Sequence, residues 1–280
     1  MIFFLNETKD GLAAQEAGQV EDLFCRLIEA DRRGRHYFVL PRTVADWALK
    51  NLKFSARHES HLIGIRQQHA MRGALPRSSG TFLEIRFEQN GVERVGEDFF
   101  RIGVDAFLAG EYAESRSALV IEDIVNDAGL YAHVLGEARK LTNIPSFDYE
   151  PVHSGGSRIA PVFESEVEKC KVVCCLVDTD MLAPCSGRGS TASGVLSIQH
   201  RRNSRGHPFV GYVFSTVGHE LENCIPYCIV KELTEVSQLT IDTLDRVAVQ
   251  DGSVDAETCF WIYFDVKNGL CGEALLVFHA

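Results

Sequence analysis

The run Val172-Val-Cys-Cys-Leu-Val177 constrains the fold of this chain more than any other stretch, because it is apolar throughout. A continuous apolar run is typical of a strand that is covered on both faces in a parallel sheet. Two carboxylates, Asp178 and Asp180, follow the run directly. Ligands of open parallel sheets bind beyond the carboxyl ends of the strands. The run therefore predicts a buried parallel strand that ends at a functional edge.

Three more segments predict further strands of the same sheet: the apolar runs 118–121 and 211–214, and a weaker strand near 147–152. Helical patterns follow three of the four predicted strands, over 130–141, 159–169 and 217–223. Strands that alternate with helices indicate an α/β fold with right-handed crossovers between parallel strands. The sequence therefore predicts an open, mainly parallel sheet flanked by helices, in a domain that covers residues 116–280.

Residues 1–115 predict a separate, small α/β domain without an assignable role. Its first clear helix carries an apolar stripe at Val20, Leu23, Phe24 and Leu27. Residues 82–95 alternate apolar and polar residues around Asn90-Gly91, a dipeptide that is typical of two-residue hairpin turns. A β-hairpin is therefore expected there.

Charge is unevenly distributed along the chain. The net charge is −11, yet residues 31–77 carry ten Lys/Arg against three Asp/Glu. A second basic cluster, Arg201, Arg202 and Arg205, stands in a stretch rich in Gly and Ser that is predicted to be a loop. An acidic protein with two basic clusters is expected to bind phosphate groups locally rather than to coat nucleic acid. The second cluster is predicted to contact nucleic acid, and the first to face the acidic edge of the sheet.

The cysteines and the first residues predict a cytoplasmic protein. The chain has nine cysteines, several of them within apolar runs, which is expected of reduced thiols. The first residues lack the long apolar core of a signal peptide, and no run reaches the roughly 18 apolar residues that cross a bilayer. No membrane partner is expected.

Acidic residues follow three of the predicted strands, at Glu122, at Asp178 with Asp180, and at Glu220 with Glu222. Parallel strands would bring these carboxylates to one edge of the sheet, where their mutual repulsion opposes ionisation. A divalent cation removes that penalty, and ligands that offer only oxygen favour Mg²⁺ or Mn²⁺. The sequence therefore predicts a Mg²⁺ or Mn²⁺ site.

These residues together resemble the TOPRIM fold of topoisomerases, primases and overcoming-lysogenization-defect (OLD) nucleases. The resemblance is carried by Ile121-Glu122, Asp127, Gly155-Gly156 and Asp178-x-Asp180, and it covers roughly 117–230. The segment Gly218-His-Glu-Leu-Glu-Asn223 is similar to an acidic helix start in TOPRIM-like proteins of bacterial anti-phage defence. Asp123 departs from the glycine usual after the first acid, and Asp127 stands one residue farther along than usual.

The resemblance implies a metal-dependent nuclease that cleaves phosphodiester bonds. Glu122, Asp178 and Asp180 would hold a first cation, and Asp127 with Glu220 or Glu222 a second. Lys267 would be the lysine that OLD-type nucleases place near the scissile phosphate. DNA or RNA would be the substrate, and a regulatory partner such as an ATPase would control a defence effector, which could also form a homo-oligomer.

Two other functions remain open from the sequence. A phosphatase of the haloacid-dehalogenase type also ends a strand in Asp-x-Asp and would use Asp178 as its nucleophile. Leu182 stands where that family has Thr or Val, and Glu122 would have no role. A non-catalytic TOPRIM-like module that binds a partner is the other alternative.

Overall fold

The computed structural model describes most of the first 224 residues. The described ranges are 1–79, 81–95, 99–125, 127–142, 148–182, 186–204, 210–216 and 218–224. Arg205 and Lys267, which were predicted to bind nucleic acid and to take part in catalysis, lie outside these ranges. No helix within them is long and apolar enough to cross a lipid bilayer.

The first sheet has five strands in the order β2-β1-β3-β5-β4, all parallel to their neighbours except β4. Its strands are β1 (Ile2–Leu5), β2 (Tyr37–Val39), β3 (Leu83–Arg86), β4 (Val92–Val95) and β5 (Phe99–Gly103). The helices in this part of the chain are α1 (Lys9–Ala13), α2 (Ala17–Arg32), α3 (Arg42–Asn51), α4 (Ala56–Gln67), α5 (His69–Ser79) and α6 (Val104–Ala109).

The apolar stripe of α2 is buried as its spacing predicts: Val20, Leu23, Phe24 and Leu27 have no exposed surface. Residues three and four apart lie on one side of a helix, so these side chains enter the core together.

The hairpin predicted over 82–95 is wrong. Strand β3 lies between β1 and β5 and is parallel to both, while β4 pairs with β5 in antiparallel. Leu83 and Ile85 are fully buried, which favours this central position over a hairpin edge.

The second sheet has the order β7-β6-β8-β9 with all neighbours parallel. Its strands are β6 (Ser117–Ile121), β7 (Tyr149–His153), β8 (Val172–Val177) and β9 (Val210–Ser215). The accompanying helices are α7 (Asp127–Thr142), α8 (Ile159–Glu168) and α9 (Ser190–Ser204). The predicted fold class is confirmed: the chain is α/β, with open, mainly parallel sheets flanked by helices.

Helix α9 corrects the prediction that the basic cluster after β8 lies in a loop. Its Ser-rich sequence has weak helix propensity, but Ala192, Val195 and Ile198 recur at helical spacing and are buried against α8 and the sheet. Tertiary packing of this stripe decides the conformation where propensity is a weak guide.

The strand order of the second sheet contains a switch point. The chain leaves β6 toward β7 on one side and leaves β8 toward β9 on the other, and β6 and β8 are neighbours. Where connections diverge in this way, a crevice opens beyond the carboxyl ends of the two central strands. Residues that directly follow β6 and β8 therefore border the crevice.

The two sheets share one apolar core through the amino ends of β8 and β9. Val172 and Val210 belong to the core of the first sheet, and the Tyr212 hydroxyl donates to the Phe82 carbonyl at 2.8 Å. The crevice lies beyond the opposite ends of these strands.

The expectation that the basic residues of 31–77 face the acidic edge is wrong for Arg72, which is buried.

Arg72 belongs to a buried polar group around Asp31. The Asp31 carboxylate accepts hydrogen bonds from Arg72 at 2.6 Å, from His61 at 2.7 Å and from the Phe38 N–H at 2.7 Å. Burial acts to raise the pKa of Asp31, but the hydrogen bonds from His61 and Arg72 outweigh it, so the pKa lies below its ordinary value. The folded protein therefore favours the ionised carboxylate.

We expect the protein to lose stability in acid partly through Asp31. A carboxyl group with a depressed pKa contributes stability fully above its unfolded pKa of about 4, and the contribution is lost as pH falls through the folded pKa. Urea titrations between about pH 6 and pH 3 should show a shallower pH dependence for Asp31→Asn than for wild type. Asp10→Asn, at an exposed position of α1, should match wild type. Equal slopes for Asp31→Asn and wild type would contradict this assignment.

Candidate active site at the carboxyl edge of the second sheet

Two carboxylates stand at the switch point. Glu122 directly follows β6, and Asp178 directly follows the neighbouring strand β8. Both residues are half-buried, and one carboxylate oxygen of each is inaccessible to solvent. Adjacent strands are about 4.8 Å apart, so the two groups border the same crevice. The sequence placed Glu122 and Asp178 at one edge on the condition that their strands are parallel neighbours, and β6 and β8 meet that condition.

The carboxylate of Glu122 affects the pKa of Cys175, a buried thiol of β8. Burial, and then the nearby charges of Glu122 and Cys174, raise the pKa of the Cys175 thiol well above its ordinary value. The thiolate is the nucleophilic form of cysteine, so a raised pKa keeps Cys175 unreactive at neutral pH. Cys175 is therefore not a candidate nucleophile at this edge.

The loop after β7 holds the backbone at Glu122. Ser154 donates to the Ile121 carbonyl through both its hydroxyl, at 2.9 Å, and its N–H, at 3.1 Å. The N–H of Gly156 donates to the Glu122 carbonyl at 3.3 Å. Gly155 and Gly156 both have left-handed backbone angles, with φ of 71° and 65°. The Gly155-Gly156 pair thus allows the loop to turn back onto the end of β6.

Asp127 has a local role at the start of α7. One of its carboxylate oxygens accepts a hydrogen bond from the Asp123 N–H at 3.2 Å, and its own N–H donates to the Asp123 carbonyl at 2.9 Å. A carboxylate in the first turn of a helix is also favoured by the helix dipole. These contacts account for Asp127 without a cation, so its predicted place in a second metal site remains a prediction.

Asp180 lies two residues beyond Asp178, in the turn that follows β8. It is exposed and has a left-handed backbone with φ of 51°, a conformation that Asp adopts more readily than most residues. Its Cβ lies 2.7 Å from the position that a Cβ of Gly189 would occupy, just before α9 begins. Only glycine at position 189 permits this approach. The side chain of Asp180 is therefore packed at the N-terminal end of α9.

The segment after β9 folds back onto the turn that contains Asp178 and Asp180. The Asp180 N–H donates to the His219 carbonyl at 2.8 Å, and the buried hydroxyl of Thr179 donates to the Gly218 carbonyl. A second hydroxyl, that of Thr216, accepts from the Thr179 N–H at 3.1 Å. These bonds fix the conformation of the turn that begins at Asp178, at the border of the crevice.

Glu220 and His219 are buried in this segment, at 5% and 8% exposure. The helix predicted over 217–223 is replaced by a 3₁₀ turn, Leu221–Cys224, preceded by a hydrogen bond from the Glu220 N–H to the Asn223 side chain at 2.8 Å. The side chain of Glu222 lies outside the described part of the structure, so its predicted metal-binding role is untested.

Arg201 and Arg202 of α9 form ion pairs with acidic residues of α8. Arg202 bonds to Glu164 and Glu168, both at 2.7 Å, and Arg201 bonds to Glu164 at 3.0 Å. The Arg202 side chain is only 14% exposed. Both arginines thus stabilise the packing of α8 against α9, and the prediction that they bind nucleic acid gains no support from these contacts.

The donor set at the edge fits a hard divalent cation at Glu122 and Asp178, because both offer carboxylate oxygens shielded from water. Within the described ranges, no three His, Cys, Asp or Glu side chains are grouped so as to hold a metal ion. The larger predicted set of metal ligands therefore stays a prediction.

Sequence reasoning assigned no role to Ser154 or Thr179, and it favoured an exposed His219 without a role over a ligand or base. Each is buried and contacts the backbone of the edge through a side-chain oxygen or nitrogen. Thr179 stands between two aspartates, and Ser154 follows a predicted strand. Their positions at strand ends were the one feature of the sequence that could have indicated a role for them. Small polar residues at strand ends are too common for this signal to stand out alone.

Comparison with protein-family models and with curated proteins gives no match for this chain.

Proposed function

We propose that this protein is a metal-dependent nuclease that hydrolyses phosphodiester bonds of DNA or RNA. The observation that carries the proposal is the pair of half-buried carboxylates, Glu122 and Asp178, at the switch point of a parallel sheet. A crevice at this position is where open α/β sheets bind ligands, and shielded carboxylates favour a cation there. The TOPRIM resemblance of the same residues agrees with this chemistry.

Glu122 and Asp178 would hold Mg²⁺ or Mn²⁺, with Asp180 as the third predicted ligand. The bound cation would activate water and stabilise the charge on the leaving oxygen. Ser154 positions Glu122 by binding the backbone carbonyl just before it, and the Thr179 bonds orient Asp178. Glu220, buried beside the same turn, is the described candidate for a second cation, and Lys267 remains the proposed cation near the phosphate.

We further propose that the nuclease is a cytoplasmic effector of anti-phage defence, restrained by a protein partner such as an ATPase. Unrestrained cleavage of nucleic acid would harm the cell that makes it. A homo-oligomer would be compatible with this role. The phosphatase and the non-catalytic module are the alternatives against which the proposal is tested.

The test is cleavage by the purified 280-residue chain. Supercoiled plasmid, single-stranded DNA and transfer RNA are incubated in EDTA, Mg²⁺ or Mn²⁺, and p-nitrophenyl phosphate is assayed in parallel. We expect at least one nucleic acid to be shortened with Mn²⁺ or Mg²⁺ and none in EDTA. Release of p-nitrophenol without cleavage of nucleic acid would favour the phosphatase, and neither activity would favour the binding module.

A further inference from the structure

A cavity of about 490 Å³ opens in the first α/β unit. It is lined by residues from the end of α2, from one side of α4 and from α5. The lining residues that the argument uses are Arg32, Arg57, His61, Gly64, Gln68 and Arg72. Its volume is within the range of about 300–1,000 Å³ that small-molecule sites occupy.

Positive charge exceeds negative charge around the cavity. Arg72 and His61 share the carboxylate of Asp31, and Arg32 is bound through two nitrogens to Glu29. Arg57, by contrast, forms no ion pair with any residue in the described ranges. The cavity thus combines a rigid, buried guanidinium, held by hydrogen bonds to Asp31, the Phe38 carbonyl and the Gln68 side chain, with a second guanidinium open to solvent.

One face of α4 lines this cavity. Arg57, His61, Gly64 and Gln68 recur at i, i+4, i+7 and i+11, a spacing that places them on one helical face. Leu62 of the same helix is buried in the core, and Ile65, which is also buried, forms part of the cavity wall. The polar face therefore opens onto the cavity, while Leu62 anchors the helix.

Gly64 lowers the stability of α4, because it stands inside the helix. Glycine inside a helix is less stable than alanine by about 1 kcal/mol. No backbone strain requires it, and a Cβ at this position would meet no atom within 4 Å. Gly64 therefore leaves open space over the wall of the cavity, with room for a ligand.

We propose that this cavity binds a small phosphorylated molecule through its phosphate group. Guanidinium groups bind phosphate oxygens through paired, charge-assisted hydrogen bonds, and the Arg57 guanidinium is the exposed one on this wall. His61 and Gln68 are bound on one side, to Asp31 and to Arg72, and each has a side-chain nitrogen outside that bond which can donate to a phosphate. The site is separate from the proposed nuclease centre, belongs to the other sheet and requires no metal. A free phosphate ion and the 5′-phosphate of a mononucleotide share this chemistry.

Equilibrium dialysis of the intact chain against radiolabelled inorganic phosphate, AMP and adenosine tests the proposal. EDTA is present throughout, so that binding through a cation at Glu122 and Asp178 does not contribute. We expect phosphate, AMP or both to bind, and adenosine not to bind. Binding of AMP without phosphate would identify a nucleotide site, and binding of phosphate alone would identify a phosphate site. Binding of neither would overturn the proposal.

Two variants with matched controls locate the binding. Gly64→Leu fills the open space and should weaken binding about tenfold or more, whereas Gly73→Leu, in α5 and also without neighbours within 4 Å, should leave it unchanged. Arg57→Gln should weaken binding about tenfold, the value of one charge-assisted hydrogen bond, and Arg42→Gln should not. Unchanged binding in Gly64→Leu, with a melting temperature near that of wild type, would contradict this location. Equal losses in a variant and its control would do the same.

Discussion

Asp178→Asn is expected to lower the proposed nuclease activity by about a hundredfold or more. The proposal makes Asp178 a metal ligand, a metal ligand contributes several kcal/mol to the transition state, and each 1.4 kcal/mol is tenfold in rate. Asparagine keeps the shape of the side chain and removes its charge. Since Asp178 directly follows β8 beside Glu122, the change also removes one source of carboxylate repulsion. The fold should therefore survive, with equal or greater stability in the absence of metal.

Melting temperatures with and without Mn²⁺ separate a metal ligand from a structural residue. A ligand that binds only the folded state raises the melting temperature, so Mn²⁺ should stabilise wild type more than Asp178→Asn. Asp10→Asn, which removes an exposed carboxylate of α1, serves as the control and should behave as wild type does in both assays. Equal shifts in wild type and Asp178→Asn, or no shift in either, would show that Asp178 holds no cation.

Arg72→Met is expected to destabilise the protein by about 3–5 kcal/mol, because it leaves the Asp31 carboxylate buried without its strongest partner. The side chains of Arg72 and Asp31 are 6% and 5% exposed, and the pair is joined at 2.6 Å. Methionine also leaves the Phe38 carbonyl without the hydrogen bond that Arg72 donates. The free energy of unfolding from urea titration measures the effect.

Arg66→Met is the matched control for this loss. Arg66 forms an ion pair with Asp46 at 3.1 Å, but the two side chains are 35% and 49% exposed. Exposed ion pairs contribute about 0–1 kcal/mol, so the same substitution here should have a small effect. Similar losses at positions 66 and 72 would contradict the view that burial makes the Arg72 pair important.

The fold class was predictable because it depends on short-range patterns. The unbroken apolar run of β8 requires cover on both faces, and the alternation of strands with helices requires parallel crossovers. Glu122 and Asp178 could be placed on one edge for the same reason, since residues that follow parallel strands meet at the carboxyl end of the sheet. These inferences needed no knowledge of which strands are neighbours.

Pairing and burial could not be predicted in this way. The Asn90-Gly91 turn is compatible with a hairpin between β3 and β4, yet β3 pairs with β1 and β5 instead. Strand β1 lies about 80 residues earlier in the chain, and β5 is separated from β3 by the whole of β4. Helix α9 was missed because its Ser-rich sequence has weak local preference, and only contact with α8 and the sheet selects the helix. Long-range contacts decide such cases.

The sequence by itself determined that an α/β protein carries Glu122 and Asp178 at strand ends, because local periodicity and chain order suffice for that conclusion. Only the tertiary structure decided how individual charged side chains are used. Arg72 is buried in an ion pair, Arg202 joins two helices, and Asp180 packs against Gly189. The physical reason is that a charge acts on whatever lies within a few ångströms in space, and residues far apart in the chain supply those neighbours.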